Sequence, residues 1–391
     1  EGRRDRREWI VDFALNEEQQ AVVALAGRIL ADRCEPTELR QIERDGWFHE
    51  RLWEALAGAD LLGLCVAEAD GGAGLGFLEI CLLLECMGRH VAPVPLRDGL
   101  VAAQAISRWG SETLRQAWLA PFIAGEAVFG LALAEGPGDA REATLSAEPT
   151  PSGWRLSGTK TAVAYAERAS LLLVTARTPD GEQLLVAVPT GGPGVTMAAQ
   201  DSFSHEPQAQ VVLEGVDVPT DHRLGDTAGD GTGDGAGDGA SDPCGWLLDR
   251  ATVAVAAVAA GVAEGGLRQT AAYTIERHQF SKPIATFQAV SHRMADCFID
   301  HQAMQLTMLA AAVRLDAAEP AADEVAIAKF WAAEGASRVG HAALHLHGGI
   351  SIDLDYPIHR YFLWAKHLEH TLGSTSAELA RLGAQLAATS T

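Results

Sequence analysis

The sequence has no hydrophobic run long enough to cross a bilayer. Its longest apolar stretch, Ala251 to Ala263, has about 13 residues, whereas a transmembrane helix needs about 20. The first ten residues are charged and are followed by neither an apolar segment nor a small-residue cleavage site, which argues against a secretory signal. We therefore predict a cytoplasmic protein without a membrane partner.

Cysteine clusters and an excess of basic charge are also missing. The six cysteines are scattered, with no CxxC pair and no Cys/His spacing of the zinc-binding kind. This pattern predicts reduced packing residues and no metal site. The formal net charge of −22 argues against nucleic acid as a partner, because a nucleic-acid surface requires a basic face. An anionic small molecule remains compatible, provided that local basic residues receive it.

The chain contains enough apolar mass for a large core, with 391 residues of which 48% are hydrophobic. Its length predicts two or three packed units. Helical periodicity over residues 1–125, β-rich runs over 126–224 and helical periodicity again over 244–391 predict an α+β multidomain protein. The expected parts are an N-terminal helical domain, a middle antiparallel β domain and a C-terminal four-helix bundle.

Local signals set some of the boundaries. Asn16 followed by two glutamates predicts a helix start, and a second helix is expected from about Phe77 to Arg89. Residues 225–243 are rich in Gly and Asp, with aspartates four residues apart. Their order matches neither an EF-hand nor a calcium-binding β-helix repeat, so we predict a flexible acidic loop.

Four motifs, in this order along the chain, resemble the acyl-CoA dehydrogenase family. The first two are the segment from Leu61 to Leu75 and the strand motif from Gly153 to Ser170. The third is Arg277-His-Gln-Phe280-Ser-Lys-Pro-Ile284 with Thr286-Phe-Gln288, and the fourth is Leu-His-Leu-His before Gly348 and Gly349. The resemblance covers nearly the whole chain.

The resemblance implies FAD as the cofactor and assigns residues to it. Arg277 offers a planar charged fork to a diphosphate, and Phe280 offers an aromatic wall beside the adenosine end. Paired glycines allow close approach of the backbone to the dinucleotide. The complete set of expected FAD-binding residues is Arg277, Gln279, Phe280, Gln288, His345, Gly348 and Gly349.

The resemblance also implies a reaction, the α,β-desaturation of an acyl-CoA thioester. A carboxylate removes the α-proton, the β-hydrogen leaves as hydride to the flavin, and an electron-transferring flavoprotein receives the electrons. The family's base most often precedes a Gly-Thr or Gly-Gly pair near the chain's end, where this sequence has Leu372-Gly373-Ser374. An alternative family position, 26 residues before the signature arginine, is Ala251. Neither position holds a carboxylate.

The nearest acids are weak candidates for the base. Asp249 stands two residues from Ala251, which is roughly 200° around a helix, and is more simply interpreted as a helix-start residue. Glu369 stands three residues before Leu372.

The expected flavin cradle is altered as well. The family's Trp-Ile-Thr is Ala162-Val163-Ala164, and its loop under the flavin is reduced to the segment from Ala134 to Asp139. In this family one chain cradles the flavin and supplies the base, while its neighbour grips the ADP half. The residues lost here all belong to the part of the site that cradles the flavin and supplies the base. The retained residues all belong to the part that grips the ADP half.

The sequence therefore predicts one subunit of an α2β2 heterotetramer whose paralogous partner supplies the base and most of the acyl pocket. It resembles subunits of actinobacterial acyl-CoA dehydrogenases that degrade steroid side chains. The alternatives are a self-sufficient homotetramer with a displaced base, a non-catalytic stabilising subunit, and a flavin oxidase or monooxygenase on the same fold.

Overall fold

A computed structural model describes residues 14–136, 139–225 and 242–389. The chain begins with six helices: α1 Glu17–Arg33, α2 Pro36–Arg44, α3 Glu50–Ala57, α4 Phe77–Arg89, α5 Leu96–Trp109 and α6 Glu112–Ile123. Asn16 caps α1, since its side chain accepts a hydrogen bond from the Gln19 amide. Both predicted helix starts are confirmed.

A seven-stranded sheet follows. Its strands are β1 Phe129–Ala132, β2 Ser146–Thr150, β3 Gly153–Ala164, β4 Leu171–Arg177, β5 Gln183–Pro189, β6 Val195–Gln200 and β7 Gln208–Pro219. The spatial order is β1-β4-β2-β3-β7-β6, and β5 pairs with β4. The ladders β2–β3, β3–β7, β4–β5 and β6–β7 are antiparallel as predicted, whereas β1 and β2 each run parallel to β4.

The C-terminal part is helical again. It contains α7 Pro243–Glu276, a short hairpin of β8 His278–Gln279 and β9 Lys282–Pro283, α8 Gln288–Asp316, α9 Ala322–His347, α10 Ile358–His370 and α11 Thr375–Thr389. Helices α7 to α10 pack on one another as the predicted four-helix bundle, and α11 lies against α9. The predicted acidic loop falls largely at residues 226–241, outside the described residues.

The two helical regions share one hydrophobic core, because α7 packs against α4 and α5 as well as against its own bundle. Glycines allow this packing: a Cβ on Gly88 would stand 2.1 Å from the Val258 carbonyl oxygen, and one on Gly261 would stand 2.0 Å from that of Glu85. Contrary to the sequence expectation, helix α7 is long and apolar enough to span a membrane, because the apolar character extends well beyond Ala251 to Ala263; but 94% of its most apolar window is buried inside the protein. It is a core helix.

A buried lysine ties the end of the bundle together. Lys329 on α9 is fully buried and donates hydrogen bonds from Nζ to the carbonyl oxygens of Leu368 (2.9 Å) and Glu369 (3.1 Å). These carbonyls belong to the last turn of α10, where no helical amide reaches them. Burial lowers the pKa of Lys329 to about 8, although Glu378 and Glu369 oppose the shift. The lysine fixes the direction in which the chain leaves α10.

We expect Lys329→Met to lower the free energy of unfolding by about 2–3 kcal/mol, because two buried carbonyls lose their donor. The folded pKa lies below the unfolded value of about 10.4, so the unfolded chain binds more protons between these values and the lysine's contribution grows with pH. The difference between wild type and variant should therefore widen from pH 8 to 10 in urea unfolding. Lys366→Met, which removes a partly exposed pair with Glu369, should cost at most about 1 kcal/mol; a constant difference would contradict the assignment.

Candidate functional site

The first group of predicted cofactor residues lies on an exposed hairpin directly after α7. Arg277 ends the helix, and its carbonyl accepts a hydrogen bond from the Ile284 amide (2.8 Å) across the hairpin. Phe280 has a φ of 51° at the turn, and its side chain is 87% exposed. Gln279 and Gln288, the first residue of α8, are exposed too. The guanidinium and the ring therefore face outward.

The second group stands at the end of α9. His345, Gly348 and Gly349 are exposed, and Gly348 has a φ of 64° that favours glycine. No atom lies within 4 Å of where a Cβ would stand on either glycine. The backbone of this turn is thus open to close approach by a ligand.

Two residues that sequence reasoning missed join these groups. Tyr273, one turn before Arg277, stacks on His347 with ring centroids 4.4 Å apart. Its hydroxyl donates a hydrogen bond to the His347 carbonyl oxygen (3.2 Å), directly before Gly348. The sequence signal that could have identified Tyr273 is an aromatic residue one helical turn before Arg277, the arginine of the motif. We use the name cofactor surface for the seven residues predicted from the sequence, which are Arg277, Gln279, Phe280, Gln288, His345, Gly348 and Gly349.

Large apolar side chains that follow Gly349 in the sequence are also exposed to solvent. Ile352 is 85% exposed, and Ile350 and Leu354 beside it are exposed as well. Several large apolar side chains exposed within five residues are typical of a surface that another molecule covers. An exposed guanidinium, an open glycine turn and an apolar margin fit a dinucleotide held between two protein surfaces.

A separate cleft of about 400 Å³ opens between α5, the sheet and the end of α10. It unites the three altered places noted in the sequence, since Ala134, Ala162 and Leu372 all line it. Ala162 and Leu372 have φ values of 53° and 55°, unusual for residues with a side chain. The other lining residues are Arg97, Asp98, Leu131, Leu133, Gly136, Thr161, Gln208, His367, His370 and Thr371. We call this space the chain's own cleft.

Charges at the cleft pair with one another. Arg97 donates from Nε to Asp98 (2.6 Å), and its Nη2 lies 3.7 Å from Glu206. Glu206 lies 3.0 Å from Nε2 of His367. Burial raises the pKa of Glu206, but Arg97 and His367 outweigh burial and lower it to about 2. The carboxylate is therefore ionised and serves as a buried counter-ion.

Neither weak candidate for the base lies in the cleft. Asp249 stands two turns inside α7, because the helix begins at Pro243 under the Asp242 cap; its interpretation as a helix-start residue was wrong. Its carboxylate pairs with Arg141 (2.6 Å). Glu369 pairs with Lys366 (2.5 Å). Both acids are held in ion pairs outside the cleft.

Ala251 is buried in the core, and Leu372, at the place where the resembled family most often has its base, presents a hydrocarbon side chain to the cleft. Among the described lining residues the single carboxylate is Asp98, which sequence reasoning missed. Arg97 grips both of its oxygens, at 2.6 and 3.3 Å. Both oxygens of this carboxylate are thus engaged in a charge-assisted pair, and no other described lining residue of the cleft carries a carboxylate.

Known proteins resemble this chain over almost its full length. Residues 16–126 match the family model of the acyl-CoA dehydrogenase N-terminal domain, and residues 244–387 match that of the C-terminal domain. Acyl-CoA dehydrogenase FadE27 of Mycobacterium tuberculosis is 36% identical over 97% of this chain and 100% of its own. The chain belongs to the acyl-CoA dehydrogenase family.

Solved structures agree with this assignment. The Tcur3481-Tcur3483 steroid acyl-CoA dehydrogenase, solved as a variant, superposes with a TM-score of 0.88 at 41% identity, covering 96% of this chain and 99% of its own. The ChsE4-ChsE5 complex from Mycobacterium tuberculosis gives 0.88 at 36% identity with the same coverage. The predicted acyl-CoA dehydrogenase fold is confirmed.

We expect Glu206→Gln to lower the free energy of unfolding at pH 7 by about 3 kcal/mol, because the buried Arg97 and His367 lose their shared anion. The folded pKa lies below the unfolded value, so the stabilisation is complete above about pH 4.5 and disappears as the pH falls towards 2. Urea unfolding at pH 7, 4 and 3 should show the two proteins converging. Glu214→Gln, at an exposed position of β7, should change stability by less than about 0.5 kcal/mol. An equal effect of both variants would contradict the buried network.

Proposed function

We propose that this chain is one subunit of an FAD-dependent acyl-CoA dehydrogenase in which two kinds of chain divide the active site. This chain grips the ADP half of an FAD whose flavin lies against a paralogous partner, in an α2β2 assembly. The partner supplies the base and most of the acyl pocket. The proposed substrate is the CoA ester of a steroid side chain, and the proposed electron acceptor is an electron-transferring flavoprotein.

One observation carries the proposal. All seven residues of the cofactor surface are exposed and face away from the chain's own core, while the chain's own cleft carries alanines and a leucine at the altered flavin and base positions. A surface that binds only half of a dinucleotide needs a second surface opposite it. The exposed Phe280 and Ile352 supply an apolar margin for such a contact.

The printed names of two relatives support the partner and the substrate class. One solved relative is a steroid acyl-CoA dehydrogenase named for two gene products, and the other is named as a ChsE4-ChsE5 complex. Both match this chain at more than 35% identity over nearly its whole length.

The proposed mechanism gives this chain a positioning task. The FAD, when bound, supplies hydride acceptance at its flavin ring. Arg277 neutralises a diphosphate charge, Phe280 packs beside the adenosine, and Gln288 donates from its amide. The open backbone at Gly348 and Gly349 permits close approach, with His345 and Gln279 as further polar contacts. These contacts fix the cofactor in register with a thioester held by the partner.

The alternatives differ in what the chain does alone. A self-sufficient homotetramer would bind FAD in its own cleft and require a displaced base such as Asp249 or Glu369. A non-catalytic stabilising subunit would have no need of Arg277. A flavin oxidase or monooxygenase would consume oxygen and ignore CoA esters.

We expect the chain purified alone to contain almost no FAD, because it provides only half of the binding surface. Co-expression with its paralogous partner should give about one FAD per heterodimer and acyl-CoA-dependent dye reduction. Visible absorbance of the flavin, divided by protein concentration, measures both. A lone chain with one FAD each and dehydrogenase activity would overturn the divided site in favour of the homotetramer.

We expect Arg277→Ala to weaken FAD binding to the complex by about tenfold to a hundredfold, because a charge-assisted hydrogen bond is worth about 1.5–3 kcal/mol. Arg277→Lys should recover part of the loss, since it keeps the charge without the fork. Arg293→Ala, at an exposed position of α8, is the matched control and should leave the affinity unchanged. Equal FAD affinity in wild type and Arg277→Ala would favour the stabilising-subunit alternative.

A further inference from the structure

Three polar side chains from three different helices meet inside the protein. They are Glu85 on α4, Glu264 on α7 and His301 on α8, and none belongs to the cofactor surface or lines the chain's own cleft. One carboxylate oxygen of each glutamate and one ring nitrogen of the histidine all lie within 4.8 Å of one another. Glu85 and His301 are only 4% and 5% exposed, so water cannot hydrate them freely.

His301 leaves one of its ring nitrogens without a partner. Its Nε2 is buried and makes no hydrogen bond, which is costly for a polar atom in the interior. Its Nδ1 lies 3.4 Å from the side-chain amide of Gln302. The atom of that amide nearest the ring is the Gln302 nitrogen, which can only donate. Metal binding at His301 Nε2 therefore requires the amide to turn over, so that its oxygen accepts the Nδ1 proton and the Nε2 lone pair becomes available. Burial also lowers the pKa of His301, which favours the neutral ring.

Neighbouring side chains hold the two carboxylates in place. Gln305 donates to Glu85 (2.7 Å), and Arg89 donates from Nε to Glu264 (2.6 Å). Arg268 pairs with the other oxygen of Glu264, but its side chain is 68% exposed and therefore screened by water. With Glu85 ionised, two largely buried carboxylates face one largely buried guanidinium, and a bound cation would then balance the remaining negative charge.

We propose that Glu85, Glu264 and His301 bind a divalent transition-metal cation of the zinc type. One imidazole and two carboxylates are a ligand set that zinc accepts, with a fourth position left for water. Ligand atoms about 2.1 Å from tetrahedral zinc stand about 3.4 Å apart, so each atom needs to move by about 1 Å at most. The ion would link α4 of the N-terminal helices to α7 and α8 of the bundle. The absence of metal-type spacing along the sequence does not bear on a site assembled from three separate helices.

Protonation of Glu85 is the alternative to a bound metal ion as a way to neutralise the cluster. Burial and the nearby Glu264 raise the pKa of Glu85, although Arg89 and Gln305 oppose the shift. A protonated Glu85 would remove the excess negative charge without any metal. The two solutions differ in a direct way, because only the first gives stoichiometric metal binding that depends on His301.

The test is a metal titration of the purified chain, alone or in its complex, after treatment with EDTA. Calorimetry with ZnCl2 and metal analysis should give about one Zn²⁺ per chain, with a higher Tm for the loaded protein. CoCl2 should produce the visible absorption of four-coordinate Co²⁺. His301→Ala and Glu85→Gln should each weaken Zn²⁺ binding at least about tenfold. His292→Ala, at an exposed histidine on the same helix, should bind as wild type does.

The proposal is overturned if the wild-type protein binds no Zn²⁺ and shows no Co²⁺ band; the protonated Glu85 then stands. It is also overturned if His301→Ala and Glu85→Gln bind Zn²⁺ as tightly as wild type, since surface groups would then be the ligands. Should either variant fail to fold, the wild-type stoichiometry and the Co²⁺ spectrum decide the question. None of these results depends on FAD content, so the outcome is independent of the proposed divided active site.

Discussion

The close contact between α4 and α7 is the constraint on which the rest of the structure depends. The two backbones approach so closely at Gly88 and Gly261 that neither position has room for a Cβ. This contact fuses the N-terminal helices and the bundle into one hydrophobic core with α7 at its centre. Because α7 is fixed along its buried length, its last turn is fixed as well, and Tyr273 and Arg277 emerge at a defined place on the surface. The cofactor surface therefore depends on helix packing far inside the protein.

The cofactor surface and the chain's own cleft follow opposite physical rules. The surface leaves a guanidinium, aromatic and aliphatic side chains and open glycine backbone exposed. Another molecule that covers the apolar side chains and brings an anion to the guanidinium would be bound favourably. The cleft has satisfied its charges internally through Arg97, Asp98, Glu206 and His367. A ligand-binding site leaves polar groups available for the ligand, whereas the charged groups of this cleft pair with one another. The asymmetry supports the proposal that this chain contributes to a cofactor site shared with another chain.

The sequence was most informative where a local pattern decides a local structure. Asn16, the boundaries of α4 and the β-rich runs were predictable because capping, helical period and alternation act over a few residues. The parallel pairing of β1 with β4 was not, because no local pattern encodes the direction of a distant partner strand. The same limit applies to the sites. The motif residues of the cofactor surface could be named from the sequence, but Tyr273 against His347, and Arg97 with Glu206 at the cleft, are joined only by tertiary packing.

The mutually paired charges of the cleft bear on the proposed division of the active site. If the flavin and base contacts had simply been lost, buried groups that formerly met a ligand would remain unpaired, and each would cost free energy. Instead, Glu206 lies between Arg97 and His367, and Asp98 accepts hydrogen bonds from Nε and Nη2 of the same guanidinium. The charged groups are thus paired without a ligand, whereas the buried Tyr165 hydroxyl beside them makes no hydrogen bond. A ligand that needed these charged groups would have to break existing buried ion pairs, which disfavours binding in this cleft and agrees with the proposed divided site.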